Sequence, residues 1–267
     1  MLGADAGISL GVSGLTLVEA LGIGAGDVVA LVGGGGKTTA MFRLAREIVS
    51  KGGRALTTTT THIFAAQIAL APAHVIAADA TPESVGAALD AHGHVLVIGA
   101  TDAGSGRAAG VSLDLLGRLR AWCPRVCFLN EADGSRMRPF KAPAAHEPVI
   151  PAETTLVVPV VGADVFGKTL GPEHVHRHEL VSALSGAPPG APVTPEIVAR
   201  ILGHPEGGCK SVPANARVVV LINKVETLAD RGPARETAER LLRQPAIQSV
   251  VLATVRGEKP VLEVCAR

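Results

Sequence analysis

The stretch Val28 to Thr39, VVALVGGGGKTT, constrains what this chain can fold into more than any other. An apolar, β-branched run (Val28, Val29, Ala30, Leu31, Val32) fits a buried parallel strand. Gly33, Gly34, Gly35 and Gly36 follow, and Lys37, Thr38 and Thr39 open a helical segment that runs to about Ser50. Strand, glycine turn and helix start in that order predict a phosphate cradle. Glycine lets backbone amides converge without Cβ clashes, and a helix N-terminus adds positive potential. In such a cradle Lys37 reaches the β- and γ-phosphates and the Thr38 hydroxyl is offered to Mg²⁺.

The pattern departs from G-x-x-x-x-G-K-[ST], because Leu31 stands where the first glycine belongs. It is closer to G-G-x-G-K-T-T, the variant of the dimerising, metallochaperone-type branch of P-loop NTPases, where a lysine often occupies the position of Val32. That likeness raises a homodimer as a candidate assembly. A dinucleotide fold fares worse: G-x-G-x-x-G needs glycine at Thr38, and the next strand ends in threonines rather than an acid for the ribose.

Hydrophobic residues make up 47% of 267, so a large core is available, and with no Tyr and one Trp (Trp122) it must be aliphatic. A formal net charge of +1 argues against an electrostatic nucleic-acid partner. Four cysteines (Cys123, Cys127, Cys209, Cys265) are too sparse for a disulfide framework and read as core or near-core thiols. No basic-then-apolar leader opens the chain, and Gly or Pro interrupts every apolar run before membrane-spanning length. The expectation is a soluble cytoplasmic protein with no membrane partner.

Residues 1–14 are rich in Gly, Ala and Ser and predict a frayed start. Leu15–Leu21 reads as a short helix. Strands are expected at 28–32, 54–60, 75–78, 95–98, 126–129, 156–161 (despite Pro159), 218–222 and 250–253, the last in the chain. Helices are expected at 38–50, from Thr81-Pro82-Glu83 onward, and at 113–122, 178–185, 195–202 and 234–243. Residues 101–111 read as a Gly/Ala loop and 135–155 as irregular. Alternating strands and helices predict α/β architecture: a doubly wound, mainly parallel sheet in three layers, P-loop NTPase-like. We expect one domain over 1–267, with a Pro/Gly/His-rich insertion at about 171–216.

Ligands of open α/β sheets sit at the carboxyl ends of strands. There the second strand carries Thr57–Thr61 and His62, of which Thr60 and His62 are candidate substrate contacts. Glu131 and Asp133 stand two apart after another strand, where a P-loop enzyme needs an acid for Mg²⁺. Asn130 holds the place of the simpler Walker B aspartate, so both acids stay open as the partner of Thr38. Arg136, Arg138 and Lys141 punctuate a proline-rich loop and could face phosphates or an anionic substrate. Asn223-Lys224-Val225-Glu226 resembles the N-K-x-D guanine-reading element, with Glu226 replacing aspartate, and makes GTP the leading nucleotide ahead of ATP. His174, His176 and His178 have the spacing of metal ligands only if extended, and the helical look of 173–184 scatters them.

Together VVALVGGGGKTT, LTTTTTHIF, NEADGSRMRPFKAPAAHEPVIP, GADVFGKTL with VHRHELV, and VVVLINKVE resemble the YqeC family, whose members are described as accessory proteins of selenium-dependent molybdenum hydroxylases. The resemblance covers nearly the whole chain and is most specific in the EADGSR…KAP..HEP segment. It implies cytoplasmic work in the maturation of such an enzyme. By position it assigns Lys37, Thr38, Thr60, His62, Glu131, Asp133, Gly134, Ser135, Arg136, Lys141, His146 and Glu147 to matching motifs. His178 stands where proline is expected and Glu226 where aspartate is. The expected activity is Mg²⁺-dependent NTP hydrolysis, with Lys37, Glu131 and Asp133 as catalytic groups and Thr38 with Asp133 or Glu131 at the metal. Alternatives are phosphoryl or nucleotidyl transfer to a small selenium or molybdenum-cofactor intermediate, with the Arg136–Lys141 loop, His146 and Glu147 as acceptor pocket, and a non-catalytic nucleotide-sensing adaptor.

Overall fold

The computed structural model describes residues 8–10 and 14–267. In chain order the first elements are β1 (Ile8–Leu10), α1 (Leu17–Ala20), β2 (Val28–Gly33), α2 (Lys37–Ser50), β3 (Ala55–Thr59) and β4 (His62–Phe64). Next come β5 (His74–Ile76), α3 (Pro82–His92), β6 (His94–Ile98), β7 (Thr101–Asp102), β8 (Arg107–Ala109), α4 (Leu113–Trp122) and β9 (Cys127–Glu131). The second half holds β10 (Phe140–Lys141), β11 (Leu156–Gly162), β12 (Val175–His176), α5 (His178–Ser185) and α6 (Pro195–Gly203). It closes with β13 (Arg217–Asn223), α7 (Leu228–Leu242), β14 (Ser249–Ala253) and β15 (Val261–Ala266).

Ten strands form one sheet in the order β1-β15-β14-β13-β11-β2-β9-β3-β6-β5. All pairings from β14 to β5 are parallel, while β15 runs antiparallel to β14 and β1 antiparallel to β15. The expected doubly wound, mainly parallel α/β/α sheet is therefore present. Its faces follow the two-residue period of strands. Val29, Leu31, Val219 and Leu221 pack with α1 and α2, whereas Val218, Val220 and Ile222 pack with α5, α6 and α7. Val28, Leu56, Val95 and Phe128 bury a third cluster against α3 and α4. Pro159 sits in β11 opposite Val32 of β2, and the register toward β13 skips from Val157 to Val160, as a residue without an amide hydrogen requires.

Several expectations need correction. Ile8–Leu10 is not frayed but pairs with β15, while the rest of that expectation, 1–7 and 11–13, lies outside the described residues. Ala253 does not end the sheet: after a bulge at Leu252/Ala253 the chain returns as β15. The 101–111 loop folds as the hairpin β7–β8, which pairs with β4 into a small separate sheet. Helix α7 begins at Leu228, six residues before the expected start, because the Thr227–Asp230 capping box nucleates it upstream of the tolerated Pro233. Among the described residues no helix is long and apolar enough to cross a membrane.

His94, 2% exposed at the start of β6, places Nε2 2.9 Å from the Thr57 hydroxyl and its ring against Phe42. Burial, and then the charge of Arg46, push its pKa down from 6.5 to about 4. The unfolded chain takes up this proton near pH 6.5, whereas the folded chain resists until about 4. The stability tied to the neutral ring is complete above pH 6.5 and is lost as pH falls through that window, roughly 3 kcal/mol in all. Urea titrations between pH 7 and 4 should show His94→Gln losing much of the wild-type pH dependence.

Candidate functional site

Strand register sets the site before any loop does. Glu131 of β9 lies opposite Leu31 of β2 and Thr59 of β3; Gly33 lies opposite Val160 of β11, and Gly162 opposite Asn223 of β13. Glu131, Gly33 and Asn223 are thus carried to the carboxyl ends of strands in the same part of the sheet. The glycine turn fits there only without side chains. A Cβ at Gly33 would lie 2.4 Å from the Val160 carbonyl oxygen, and one at Gly35 2.1 Å from the Gly162 nitrogen.

The turn divides its amides between two tasks. Asp133 accepts from Gly33 N–H, the Val160 carbonyl from Gly34 N–H (2.9 Å), and the Arg138 carbonyl from Gly35 N–H (3.1 Å). The amides of Gly33, Gly34 and Gly35, expected to touch the ligand, instead fasten the turn to its neighbours, although Gly35 still borders the cleft. Helix α2 starts without a side-chain cap, and Gly36, Lys37, Thr38 and Thr39 line an open cleft of about 390 Å³. The first turn of a helix leaves such amides unsatisfied, and here nothing in the described protein takes them up.

Beneath this helix end lies a buried run of charge. Lys37, 3% exposed, donates to the Gly33 carbonyl and stands 3.2 Å from Asp133 and 3.6 Å from Glu131. Burial works against its charge, but Asp133 and then Glu131 outweigh it, so its pKa is raised. Lys141, expected to meet substrate, is wholly buried: its ammonium reaches Asp133 (3.0 Å), Glu147 and the Gly134 carbonyl. Glu147 also grips Arg177 in a two-pronged pair at 2.7 and 3.1 Å. Burial would raise the Glu147 carboxyl, yet Arg177 and Lys141 hold it down at about 2. Glu131 accepts from the Thr38 hydroxyl at 2.7 Å, and burial, opposed by Lys37 and Thr38, leaves its pKa raised.

The two acids left open by the sequence therefore part company. Glu131 lines the cleft beside Thr38, while Asp133, 2% exposed, faces Gly33, Lys37 and Lys141 behind it. Two hard oxygen donors at hydrogen-bonding distance, Thr38 and Glu131, suit Mg²⁺; Asp133 is turned away from that position. Thr60 gives its hydroxyl to the Val149 carbonyl, whereas its neighbour Thr61 and His62 line the cleft. His146 is exposed and borders neither the cleft nor the hollow beside it; Glu147 serves the charge run instead. Arg136 does reach the cleft, with Arg138.

At the opposite side stands the N-K-x-E element. Asn223 is 5% exposed; its amide donates to the Gly35 carbonyl (2.8 Å), and its carbonyl accepts from Val255 N–H (3.0 Å). It thereby ties the glycine turn to the loop after β14. Lys224 pairs with Asp164 at 2.6 Å, and Glu226 lines the cleft. Sequence reasoning missed Thr254, Val255 and Arg256, which line the cleft, as well as Phe64 and Arg107 on the small sheet and Gln67 in the turn after β4. The strand-end rule pointed to the first group, since β14 ends at Ala253. His174 lies in the turn before β12, His176 ends that strand and His178 opens α5, and among the described residues no group of three His, Cys, Asp or Glu side chains is arranged for a metal.

A central parallel strand that passes through a tight glycine turn into an uncapped helix, with a buried charged lysine at its first position, defines a P-loop-like α/β/α protein. The chain belongs to the YqeC family: the sequence model of that family, described as YqeC protein, matches residues 29–179. It is 30% identical over 234 residues to YqeC of Escherichia coli (strain K12), spanning 86% of this chain and 88% of that one. Among solved structures, the signal recognition particle receptor FtsY of Elizabethkingia anophelis aligns at 12% identity and a TM-score of 0.39 over 86% of this chain and 60% of its own. Chloroplast FtsY of Physcomitrella patens aligns at 15% identity and 0.32, over 89% and 52%. The chain's own sheet order and turn geometry, not these weak likenesses, define the class.

Asn223→Ala should destabilise the protein by about 2–4 kcal/mol in urea denaturation, because it leaves a buried carbonyl and a buried amide unpaired. Asn223→Asp keeps the acceptor for Val255 but sets a carboxylate against the Gly35 carbonyl, and should be no milder.

Proposed function

We propose that this chain binds a Mg²⁺–nucleoside triphosphate, GTP first and ATP second, in the cleft over α2 and hydrolyses it. In this reading the hydrolysis serves as an accessory step in the maturation of selenium-dependent molybdenum hydroxylases. One observation carries the nucleotide reading: Gly36 to Thr39 line the cleft at an uncapped helix start, directly above an ammonium that two buried carboxylates keep charged. That is the electrostatic requirement of a triphosphate tail. Lys37 and these amides would stabilise charge on the oxygen leaving the γ-phosphorus as water adds to it. Thr38 and Glu131 would hold Mg²⁺, with Asp133 positioning Lys37 from behind. The ion supplies neutralisation of phosphate charge. Asn223 and Glu226 lie in the same cleft, which favours guanine. The role in enzyme maturation and work in the cytoplasm come from the family resemblance. Transfer to a small acceptor is the second reading, favoured because a second cavity shares Arg136 and Arg138 with the cleft.

Thermal shift tests the binding. At a hundredfold excess over Kd a ligand adds about 2.7 kcal/mol, or roughly 5 °C for a chain of this size. Mg²⁺–GTP should give a rise of that order, larger than ATP or CTP. Lys37→Ala should lose the rise relative to its own ligand-free melting point, Glu131→Gln should lose its Mg²⁺ dependence, and Glu226→Ala should narrow the preference for GTP. No rise with any nucleotide, or an undiminished rise in Lys37→Ala, overturns the reading. A binding protein that releases no phosphate from GTP or ATP, alone or with a molybdenum hydroxylase, overturns hydrolysis.

A further inference from the structure

A second hollow of about 450 Å³ adjoins the cleft, and its walls are rich in arginine and histidine. Arg136, Arg138, His176, Arg177 and His178 surround it, with Glu179 the one carboxylate. Arg177 is held by Glu147 in the two-pronged pair already described, so its fork is fixed in place and its charge is offset. The guanidinium groups of Arg136 and Arg138 have no carboxylate partner among the described residues. Glu179 lies 3.1 Å from the His178 ring. The balance of the walls is positive.

Three further observations sharpen this. Burial, and then Arg177, Lys141 and Arg136, hold His176 at about 4, so its ring is a neutral hydrogen-bonding group surrounded by cations. Arg136 and Met137 both adopt the left-handed backbone region, φ 48° and 63°. Such conformations are costly for residues with side chains and persist where the surroundings enforce them. Here the loop is fixed by Lys141 on the Gly134 carbonyl and by the Arg138 carbonyl on the Gly35 amide. Finally, both unpaired arginines line the nucleotide cleft as well as this hollow.

We propose that the second cavity binds an organic phosphomonoester beside the phosphate tail of the nucleotide, with Arg136 and Arg138 shared between the two ligands. Two planar guanidinium forks match a tetrahedral phosphate bidentately, and a phosphomonoester carries close to two negative charges at neutral pH. The volume lies in the range of small-molecule sites, roughly 300–1,000 Å³, which leaves room for an organic body behind the phosphate. The inference rests on the proposed function only for the neighbouring nucleotide; the anion site itself stands on these walls.

The test uses the full chain with the cleft saturated by a non-hydrolysable GTP analogue and Mg²⁺, ribose 5-phosphate as probe, and imidazole NMR signals as readout. Ribose 5-phosphate should shift the His176 and His178 signals saturably. Arg138→Ala and His178→Glu should each weaken binding tenfold or more. His178→Glu adds an acid to the first turn of α5, where the helix tolerates it, and His178 lines no part of the nucleotide cleft. Unmoved signals, or undiminished affinity in His178→Glu, overturn the proposal. Inorganic phosphate binding as tightly as ribose 5-phosphate overturns the assignment to an organic ester. Lys37→Ala separates the two readings: retained imidazole shifts with nucleotide binding lost support an independent anion site. Shifts lost together with the nucleotide mean that the probe was reporting the P-loop, and the proposal falls.

Discussion

Six side chains of alternating charge, Glu131, Lys37, Asp133, Lys141, Glu147 and Arg177, run without a break from the glycine turn to the start of α5. Each interior member touches a charge of opposite sign on both sides. Isolated, any one would be expensive to bury; in sequence, each link offsets the desolvation of the next. The run holds Lys37 charged at the floor of the cleft, and it joins the P-loop, the loop after β9 and the strand–helix junction at Arg177 into one electrostatic unit. The cleft and the second cavity take their relative positions from it.

The run also explains why two acids at alternate positions have different surroundings. Asp133 accepts from Gly33 N–H and from two lysines, so its carboxylate is consumed in shaping the turn. Glu131 keeps an oxygen on the Thr38 hydroxyl at the edge of open space. The difference arises because β9 ends at Glu131; past that point the strand alternation that would put both on one side no longer holds.

Close backbone approach is the second constraint. The turn is wedged against β11 and the 138–140 segment, near enough that side chains at Gly33, Gly34 or Gly35 would collide with main chain, while one at Gly36 would meet the Asn223 amide. Asn223 then stitches the turn to the loop after β14. A stretch that looks permissive in sequence is thus closely hemmed in by neighbouring backbone.

Much of the architecture was legible: β-branched runs, capping boxes and the glycine turn located nearly all central strands and helices, since those signals are local and repeat with the period of the element they build. The lapses share one cause. The pairing of Ile8–Leu10 with β15 and of β8 with β4 joins segments far apart along the chain, and β15 finds its place only by folding back on the edge strand β14. The site divides in the same way. Residue types and spacing by themselves determined that a glycine turn leading into Lys37 and Thr38 at a helix start should lie at a strand end, with acids nearby. Only the tertiary structure decided that Glu131 faces the cleft while Asp133 and Lys141 are buried behind it, that Thr61 rather than Thr60 is presented, and that Arg136 and Arg138 border two cavities. A motif specifies which groups are available, whereas the direction each one faces is settled by which distant backbone it packs against.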